Sequence, residues 1–379
     1  MSDLTGVHDK QRLKELQALP LDRKILITQT RIIEWYTRWK GQVYVSFSGG
    51  KDSTVLLHIA RQCFPDIEAV FVNTGLEYPE IQKFAKSFEN VTVIRPEMSF
   101  VEVIQHYGYP LISKEVAQRI YESDTAPDGV VAQAFDSQSE KVTKYGGRYD
   151  LSKWNPLRSV DFKISHMCCN VMKKSPAKSF ERKSNKHPIL ATMACESVLR
   201  KTKWLLEGCN AFNAKRPTSK PMSFWTEQDV LEYIDRYNLP IASVYGDVVQ
   251  SESGCGLCTT GCDRTGCVFC GFGAHSHGDD RFLRLLETHP RQYDYCINGG
   301  GYAWIGRHKP KSKWKRLYFK NKDGSPITTE QIEYFVKQHL DDPKYVFERV
   351  WIPNKQGLGM GHVFDAINKI YGENFIRYK

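Results

Sequence analysis

The 379 residues, 41% of them hydrophobic and 12% aromatic, are enough to bury one large α/β domain and a smaller one. Lys and Arg outnumber Asp and Glu by 53 to 43, and the formal charge of +10 favours an anionic partner over an acidic or membrane-embedded role. No run approaches the length of a membrane helix. Residues 1–5 show no basic segment leading into an apolar core, so a cytoplasmic protein with reduced thiols is expected.

In chain order, apolar residues at helical spacing fill 10–40, and Pro20 divides them into two helices. A strand-like run follows, Val43-Tyr44-Val45-Ser46-Phe47, and then Ser48-Gly49-Gly50-Lys51-Asp52-Ser53. Residues 54–60 again carry helical spacing, with Ser53 placed as the N-cap. A strand, a glycine turn and a helix N-terminus make an anion site, because backbone N–H groups approach a phosphate closely and the helix dipole favours negative charge. Lys51 adds a mobile point charge. The spacing is not that of the Walker loop.

A second strand is expected at 67–73, a helix at 80–88 and a third strand at 91–94. Strands alternating with amphipathic helices predict a parallel twisted sheet flanked by helices, with ligands beyond the carboxyl ends of the strands. That puts Ser46, residues 48–53 and Asn73-Thr74-Gly75 on one rim. Periodicity fades over 121–156, read as an insertion or lid. Order returns at Cys168-Cys169, a basic helix, a strand at 188–192 and a helix at 195–207. Thr226 caps a helix over 227–237, and further helices are expected at 279–289, 329–340 and 361–371. The linear organisation expected is N-terminal helices (1–41), an α/β domain (42–250), a cysteine-rich segment (251–290) and a basic, aromatic carboxy-terminal region (291–379).

Five cysteines fall within sixteen residues: Cys255, Cys258, Cys262, Cys267 and Cys270, with two CxxC pairs. The short CxxC turn aims two sulfurs at one centre, so the segment suits zinc or an iron–sulfur cluster. Cys63, Cys195, Cys209 and Cys296 stand alone and read as small buried hydrophobes, with Cys296 just after a helix. Between 301 and 320 stand Arg307, Lys309, Lys311, Lys313, Lys315, Arg316 and Lys320 without an acid, interleaved with Tyr302, Trp304, Trp314, Tyr318 and Phe319. Cations neutralise phosphates and aromatics stack on unpaired bases, so a nucleic-acid partner is a candidate, in an otherwise irregular stretch.

The motifs together resemble the phosphoadenosine phosphosulfate reductase family of the PP-loop ATP pyrophosphatase superfamily. The loop 48–53 matches SGGxDS, and 71–79 resembles the second-strand motif. Cys168-Cys169 through Lys173 resembles the CCxxxK segment, and Glu196-Ser197 through Arg200 resembles ESxxR. Residues 221–245 resemble the proline–tryptophan helix. The resemblance implies an adenine nucleotide alpha hydrolase-like, Rossmann-like fold with a cysteine-rich metal-binding segment and a smaller C-terminal helical and irregular region. It implies nucleotide contacts from Ser46, Ser48, Gly49, Gly50, Lys51, Asp52, Ser53, Asn73, Thr74, Gly75, Lys173, Glu196, Ser197 and Arg200. By analogy with adenosine phosphosulfate reductases, Cys168, Cys169, Cys267 and Cys270 would hold one [4Fe-4S] cluster, with Cys262 as a substitute ligand and zinc as the alternative metal.

Two departures shape the expected activity. Residues 191–193 read Ala-Thr-Met where the family has glycine and an arginine, and the last cysteine is Cys296, so no tail nucleophile is expected. The surplus Cys255, Cys258 and Cys262 are similar to those of the DNA phosphorothioation sulfurtransferase and the cluster-dependent tRNA thiolases. The first expectation is therefore an ATP- and Mg²⁺-dependent sulfurtransferase, with Lys51 and Asp52 at the phosphates and Cys255, Cys258 or Cys262 as sulfur carrier. Its sulfur donor would be of the cysteine desulfurase type and its acceptor a candidate nucleic acid. The alternatives are a sulfonucleotide reductase drawing on an external thiol reductant, and a nucleotide-sensing regulator with structural zinc.

Overall fold

The computed structural model describes residues 8–126, 129–251, 254, 256–308, 315–317 and 328–379. Two compact units emerge, each discontinuous in sequence: 1–97 with 173–267, and 98–172 with 268–379. The linear reading ran one α/β domain straight through 42–250, whereas compaction assigns residues 98–172 to the second unit.

The first unit opens with α1 (Lys10–Gln17) and α2 (Leu21–Arg38), parted at Pro20 as expected. Then come β1 (Val43–Phe47), α3 (Lys51–Cys63), β2 (Ala69–Val72), α4 (Pro79–Lys86) and β3 (Val91–Ile94). Its second segment supplies α5 (Ser175–Ser184), β4 (His187–Leu190), α6 (Val198–Glu207), β5 (Asn210–Ala211), β6 (Thr218–Ser219) and α7 (Glu227–Arg236). A hairpin of β7 (Val248–Gln250) and β8 (Leu257–Thr259) completes it.

The six strands lie in the order β3-β2-β1-β4-β6-β5, all neighbours parallel except β5 with β6. A parallel strand covered on both faces must be apolar nearly throughout. In β1, Val43, Tyr44, Val45 and Phe47 are all buried, and Ser46 is the one partly open position. The chain order runs β1, β2, β3 to one side of β1 and places β4 on the other, so a topological switch point lies between β1 and β4. Loops leaving the carboxyl ends of strands on either side of such a point diverge and leave a crevice. The 48–53 turn leaves β1, and the segment containing Glu196 leaves β4.

Helices α2 and α7 are tied by a buried ion pair. Lys24 Nζ lies 2.7 Å from both carboxylate oxygens of Asp229, and that carboxylate also accepts from the Thr226 amide in the capping box of α7. Trp225 Nε1 donates to Thr28 Oγ1 at 2.9 Å beside this pair. The proline–tryptophan segment thus anchors the helix that carries Glu227 to the site.

The second unit contains helices Phe100–Tyr107, Lys114–Thr125, Arg281–Thr288, Pro290–Ile297, Thr329–His339 and Met360–Tyr371. Its antiparallel sheet joins β9 (Gly301–His308) to β10 (Lys315–Leu317) on one side and β11 (Tyr345–Ile352) on the other. The carboxy-terminal region therefore holds strands beside its expected helices: the 301–308 stretch, read as irregular, is a strand, and β11 went unforeseen. Cys296 lies inside a helix, fully buried against Met360, not after one. The described residues of the 121–156 segment form mainly short helices, with Ala134 and Phe135 buried. Among the described residues no helix is long and apolar enough to cross a membrane.

Candidate functional site: the glycine turn after the first strand

The turn 48–50 reverses the chain between β1 and α3, and the register Phe47↔Phe71 sets the ends of β1 and β2 side by side. Gly49 has φ +73°, and an added Cβ would stand 3.0 Å from Ile81 Cγ2 and 3.1 Å from the Ile81 carbonyl oxygen. Only glycine allows this combination of conformation and close approach. Gly50, not Ser53, is the N-cap of α3, since the helix already begins at Lys51. Ser53 instead locks the turn from inside. Its hydroxyl accepts from the Ser48 amide at 3.1 Å and donates to the Gly50 carbonyl at 3.0 Å, while Ser48 Oγ lies 3.0 Å away. The hydroxyls sit where a Ser-Gly-Gly-x-x-Ser spacing puts them, so the turn is preorganised by its own side chains.

Beside it, a cavity of about 150 Å³ is lined by Ser46, Ser48, Phe71, Glu77, Lys173 and Thr265 among others. Two expected contributors, Ser46 and Lys173, therefore face the same space as Ser48. The 73–77 loop closes on itself: Thr74 donates to Glu77 from both its amide and its hydroxyl, and Gly75 N donates to Asn73 Oδ1 at 3.1 Å. These residues hold the rim of β2 and are largely satisfied locally.

Lys51 is not a mobile charge. Its side chain is only 5% exposed, its Nζ lies 3.2 Å from Glu227 Oε1, and it stands 5.4 Å from the centroid of the Tyr245 ring. The Tyr245 hydroxyl accepts weakly from the Lys51 amide at 3.4 Å and shares a 2.5 Å hydrogen bond with Thr265 Oγ1. Burial pushes the Tyr245 phenol up to about 12, so it stays a neutral donor. Burial also raises the Asp52 carboxyl, against the opposing pull of Lys51 and then Arg264.

Glu196 accepts from the Met193 amide at 2.9 Å and is paired with both Arg200 and Arg264. Ser197 caps its own helix, accepting from the Arg200 amide at 3.2 Å. The expected trio thus divides: Arg200, like Arg264, is in electrostatic range of Asp52, Glu196 pairs with both arginines, and Ser197 serves helix α6. Cys195, read as buried, is exposed; its thiol contacts the Trp225 carbonyl at 3.4 Å, and nearby protein still pushes its pKa up. Glu227, Arg264 and Thr265 were missed, since nothing local marks a contact 176 residues away from Lys51.

Cys258 lies in β8, paired with Val249, and Cys262 is buried with its amide bonded to the Val244 carbonyl at 2.9 Å. Cys255 lies outside the described residues. In the second unit the Cys168 and Cys169 sulfurs are 3.9 Å apart, and Cys270 belongs to the same unit, while Cys267 ends the first. Among the described residues no group of three or more His, Cys, Asp and Glu side chains is gathered as a metal-holding set.

These features define a class: an α/β sheet protein with a self-locked glycine turn at a topological switch point. Residues 42–126 match the phosphoadenosine phosphosulfate reductase domain. The chain is 24% identical over 230 residues to an adenosine 5'-phosphosulfate reductase of Bacillus cytotoxicus, covering 60% of this chain and 78% of that one. It is 30% identical over 108 residues to an uncharacterized protein of Methanocaldococcus jannaschii, covering 27% of this chain and only 26% of that relative's length. The phosphate complex of a phosphoadenylyl-sulfate reductase from Candida auris aligns at 14% identity and a TM-score of 0.32, over 62% of this chain and 90% of that chain.

Proposed function

We propose that the chain is an adenine-nucleotide enzyme of sulfur chemistry that seats the anionic end of a sulfonucleotide on the 48–53 turn. The observation that carries this is the turn itself: a self-locked glycine reversal at the N-terminus of α3, opening on a cavity shared by Ser46, Ser48 and Lys173. The likeness to adenosine phosphosulfate reductase over 60% of the chain supports reduction as the reaction.

In this reading the phosphosulfate lies along residues 48–50, and Lys51 exchanges Glu227 for the ligand's charge. A thiolate of an external dithiol attacks the sulfur, the bond from sulfur to the phosphate oxygen breaks, and AMP leaves with the electron pair. The second thiol then displaces sulfite and closes the disulfide, so two thiols are oxidised as the sulfur is reduced. Arg264 and Arg200 would offset the charge developing on the leaving phosphate.

A second reading keeps the turn and changes the ligand to ATP with Mg²⁺, the ion positioned by Asp52. An acceptor oxygen, with nucleic acid as the acceptor class, attacks the α-phosphorus and expels pyrophosphate; the outer sulfur of a cysteine persulfide, loaded by a desulfurase-type donor, then displaces AMP. A second cysteine thiolate attacks the inner sulfur, releasing the thiolated acceptor and closing a disulfide that an external thiol reductant reopens. What favours it is the place of Cys258 and Cys262 in the same unit as the turn, with Cys262 bonded to Val244 next to Tyr245. Thiolates carry sulfur well near neutrality. Cys255 shares this proposed role.

Cys168, Cys169, Cys267 and Cys270 are the proposed ligands of a [4Fe-4S] cluster, with Cys262 as substitute. An all-thiolate donor set suits iron–sulfur ligation and also zinc. A cluster bound there would supply a redox-active centre. Product analysis tests these readings: adenosine phosphosulfate and a dithiol should yield equal sulfite and AMP. Formation of AMP and pyrophosphate from ATP would select the second reading, and ADP with phosphate would contradict both.

A further inference from the structure

We infer that Glu77 is a specificity-determining residue: it accepts hydrogen bonds from the free ribose hydroxyls of the bound nucleotide and rejects nucleotides phosphorylated at the 3′ position. The inference deepens the proposed function and rests on its reading of residues 48–50 as the seat of the ligand's anion. It holds for either ligand considered there, since adenosine phosphosulfate and ATP both carry an unmodified 2′,3′-diol.

Glu77 belongs to the loop that joins β2 to α4. In the cavity beside the glycine turn, Glu77 and Lys173 are the charged lining residues, while Ser46, Ser48 and Thr265 supply hydroxyls. All five belong to the first unit. The carboxylate is held by a single residue: the Thr74 hydroxyl donates to Oε1 at 2.7 Å, and the Thr74 amide donates to Oε2 at 3.1 Å. The Leu76 amide donates to Thr74 Oγ1 at 3.2 Å, and the Gly75 amide to Asn73 Oδ1 at 3.1 Å, which closes the loop around that contact. Asn73 and Thr74 were expected to touch the nucleotide themselves; here they hold in place the side chain that faces the cavity. A carboxylate offers about four acceptor sites, so the two bonds from Thr74 leave each oxygen room for a further donor.

A carboxylate is a costly neighbour for an anion seat, because like charges repel strongly in a partly enclosed space. It becomes favourable only where the ligand brings donors to it. A nucleotide does so close to its phosphate: the ribose, joined to the 5′-phosphate through one carbon, carries two hydroxyls. Ser48 belongs to both the turn and the cavity, so the group entering the cavity is the one bonded next to the anion. A space of about 150 Å³ is well below that of a pocket for a whole ligand and suits a single sugar ring.

Adding a 3′-phosphate reverses the sign of this contact. It replaces a donor by about two negative charges, set against a carboxylate that Thr74 holds by both oxygens. Lys173 brings one positive charge to this space, fewer than a 5′ anion and a 3′-phosphate together require. Placing an unmatched like charge against the wrong ligand is a general route to specificity.

Isothermal titration of the full chain with AMP, adenosine 3′,5′-bisphosphate and 3′-deoxyadenosine 5′-monophosphate tests this. The wild type should bind AMP, and should bind the bisphosphate and the deoxy compound each about tenfold more weakly. In Glu77→Gln, which keeps the shape of the side chain, the bisphosphate should come within about twofold of AMP. The melting temperature of that variant reports its fold, and the wild-type ratios decide the matter even where the variant does not fold. Equal or tighter binding of the bisphosphate by the wild type, indifference to the 3′-hydroxyl, or a Glu77→Gln that weakens all three nucleotides alike would each overturn the inference while leaving the seat of the anion intact. Failure of all three to bind would overturn that seat, and the inference with it.

Discussion

Replacing Glu227 by Gln should tighten, not weaken, the binding of an anion to the glycine turn. Glu227 Oε1 stands 3.2 Å from Lys51 Nζ, and the lysine is 5% exposed against 45% for the glutamate. Bare Coulomb attraction at that separation is roughly 5 kcal/mol at an effective dielectric of 20. Solvent reaches the glutamate freely, and exposed pairs are worth at most about 1 kcal/mol net. A phosphate or phosphosulfate that claims Lys51 must displace this carboxylate, so removing its charge returns that ~1 kcal/mol to the ligand, about fivefold in affinity. Isothermal titration with adenosine phosphosulfate on wild type and Glu227→Gln measures the ratio. Repeating it at high salt should shrink the gain, because the competing pair is partly exposed. An unchanged or weaker affinity at low salt would refute the idea that Glu227 stands in for the ligand.

The turn makes further demands. Gly49→Ala forces an L side chain to φ +73° and within 3.0 Å of Ile81, so a loss of about 1–3 kcal/mol of stability, seen as a lower urea midpoint, should accompany loss of nucleotide binding. Asp52→Asn should raise the melting temperature at neutral pH. Burial raises the carboxyl of the folded chain above its ordinary 3.8, so the wild type loses stability as pH rises through the raised value, and the two proteins should converge in acid. A variant that gains stability equally at all pH values would contradict this. Protein purified without oxygen should be brown if Cys168, Cys169, Cys267 and Cys270 hold an iron–sulfur cluster, and Cys267→Ala should bleach it. Colourless wild-type protein with one zinc per chain would reject the cluster.

Much of the first unit was legible because its signals are local. Pro20 split the opening helices, and the strand at 91–94 and the Thr226 cap fell where periodicity and capping chemistry put them. The six residues 48–53 announced a glycine turn between strand and helix, although the role of Ser53 required the folded geometry: a hydroxyl three residues into a helix can cap it or lock the turn before it. Lys51 misled for a related reason. A lysine at a helix N-terminus reads as mobile until a distant carboxylate, here Glu227, is brought against it. The second unit was harder. The stretch 301–308 alternates aromatic and small residues among cations, a pattern that fits an exposed loop as well as a two-faced strand, and its partner Tyr345–Ile352 lies 37 residues beyond its end (345 − 308). The discontinuous units reflect the same limit, since chain adjacency says nothing of which segments pack together.

Titration of wild type and Lys51→Ala with adenosine phosphosulfate, and with AMP for comparison, bears most directly on the glycine turn as the seat of the ligand's anion. Saturable binding to one site per chain is expected in the wild type, tighter for adenosine phosphosulfate than for AMP, with that preference lost in Lys51→Ala while the fold is retained. Binding that is equal for both ligands, or that survives Lys51→Ala unchanged, would place the nucleotide elsewhere and contradict the proposed function.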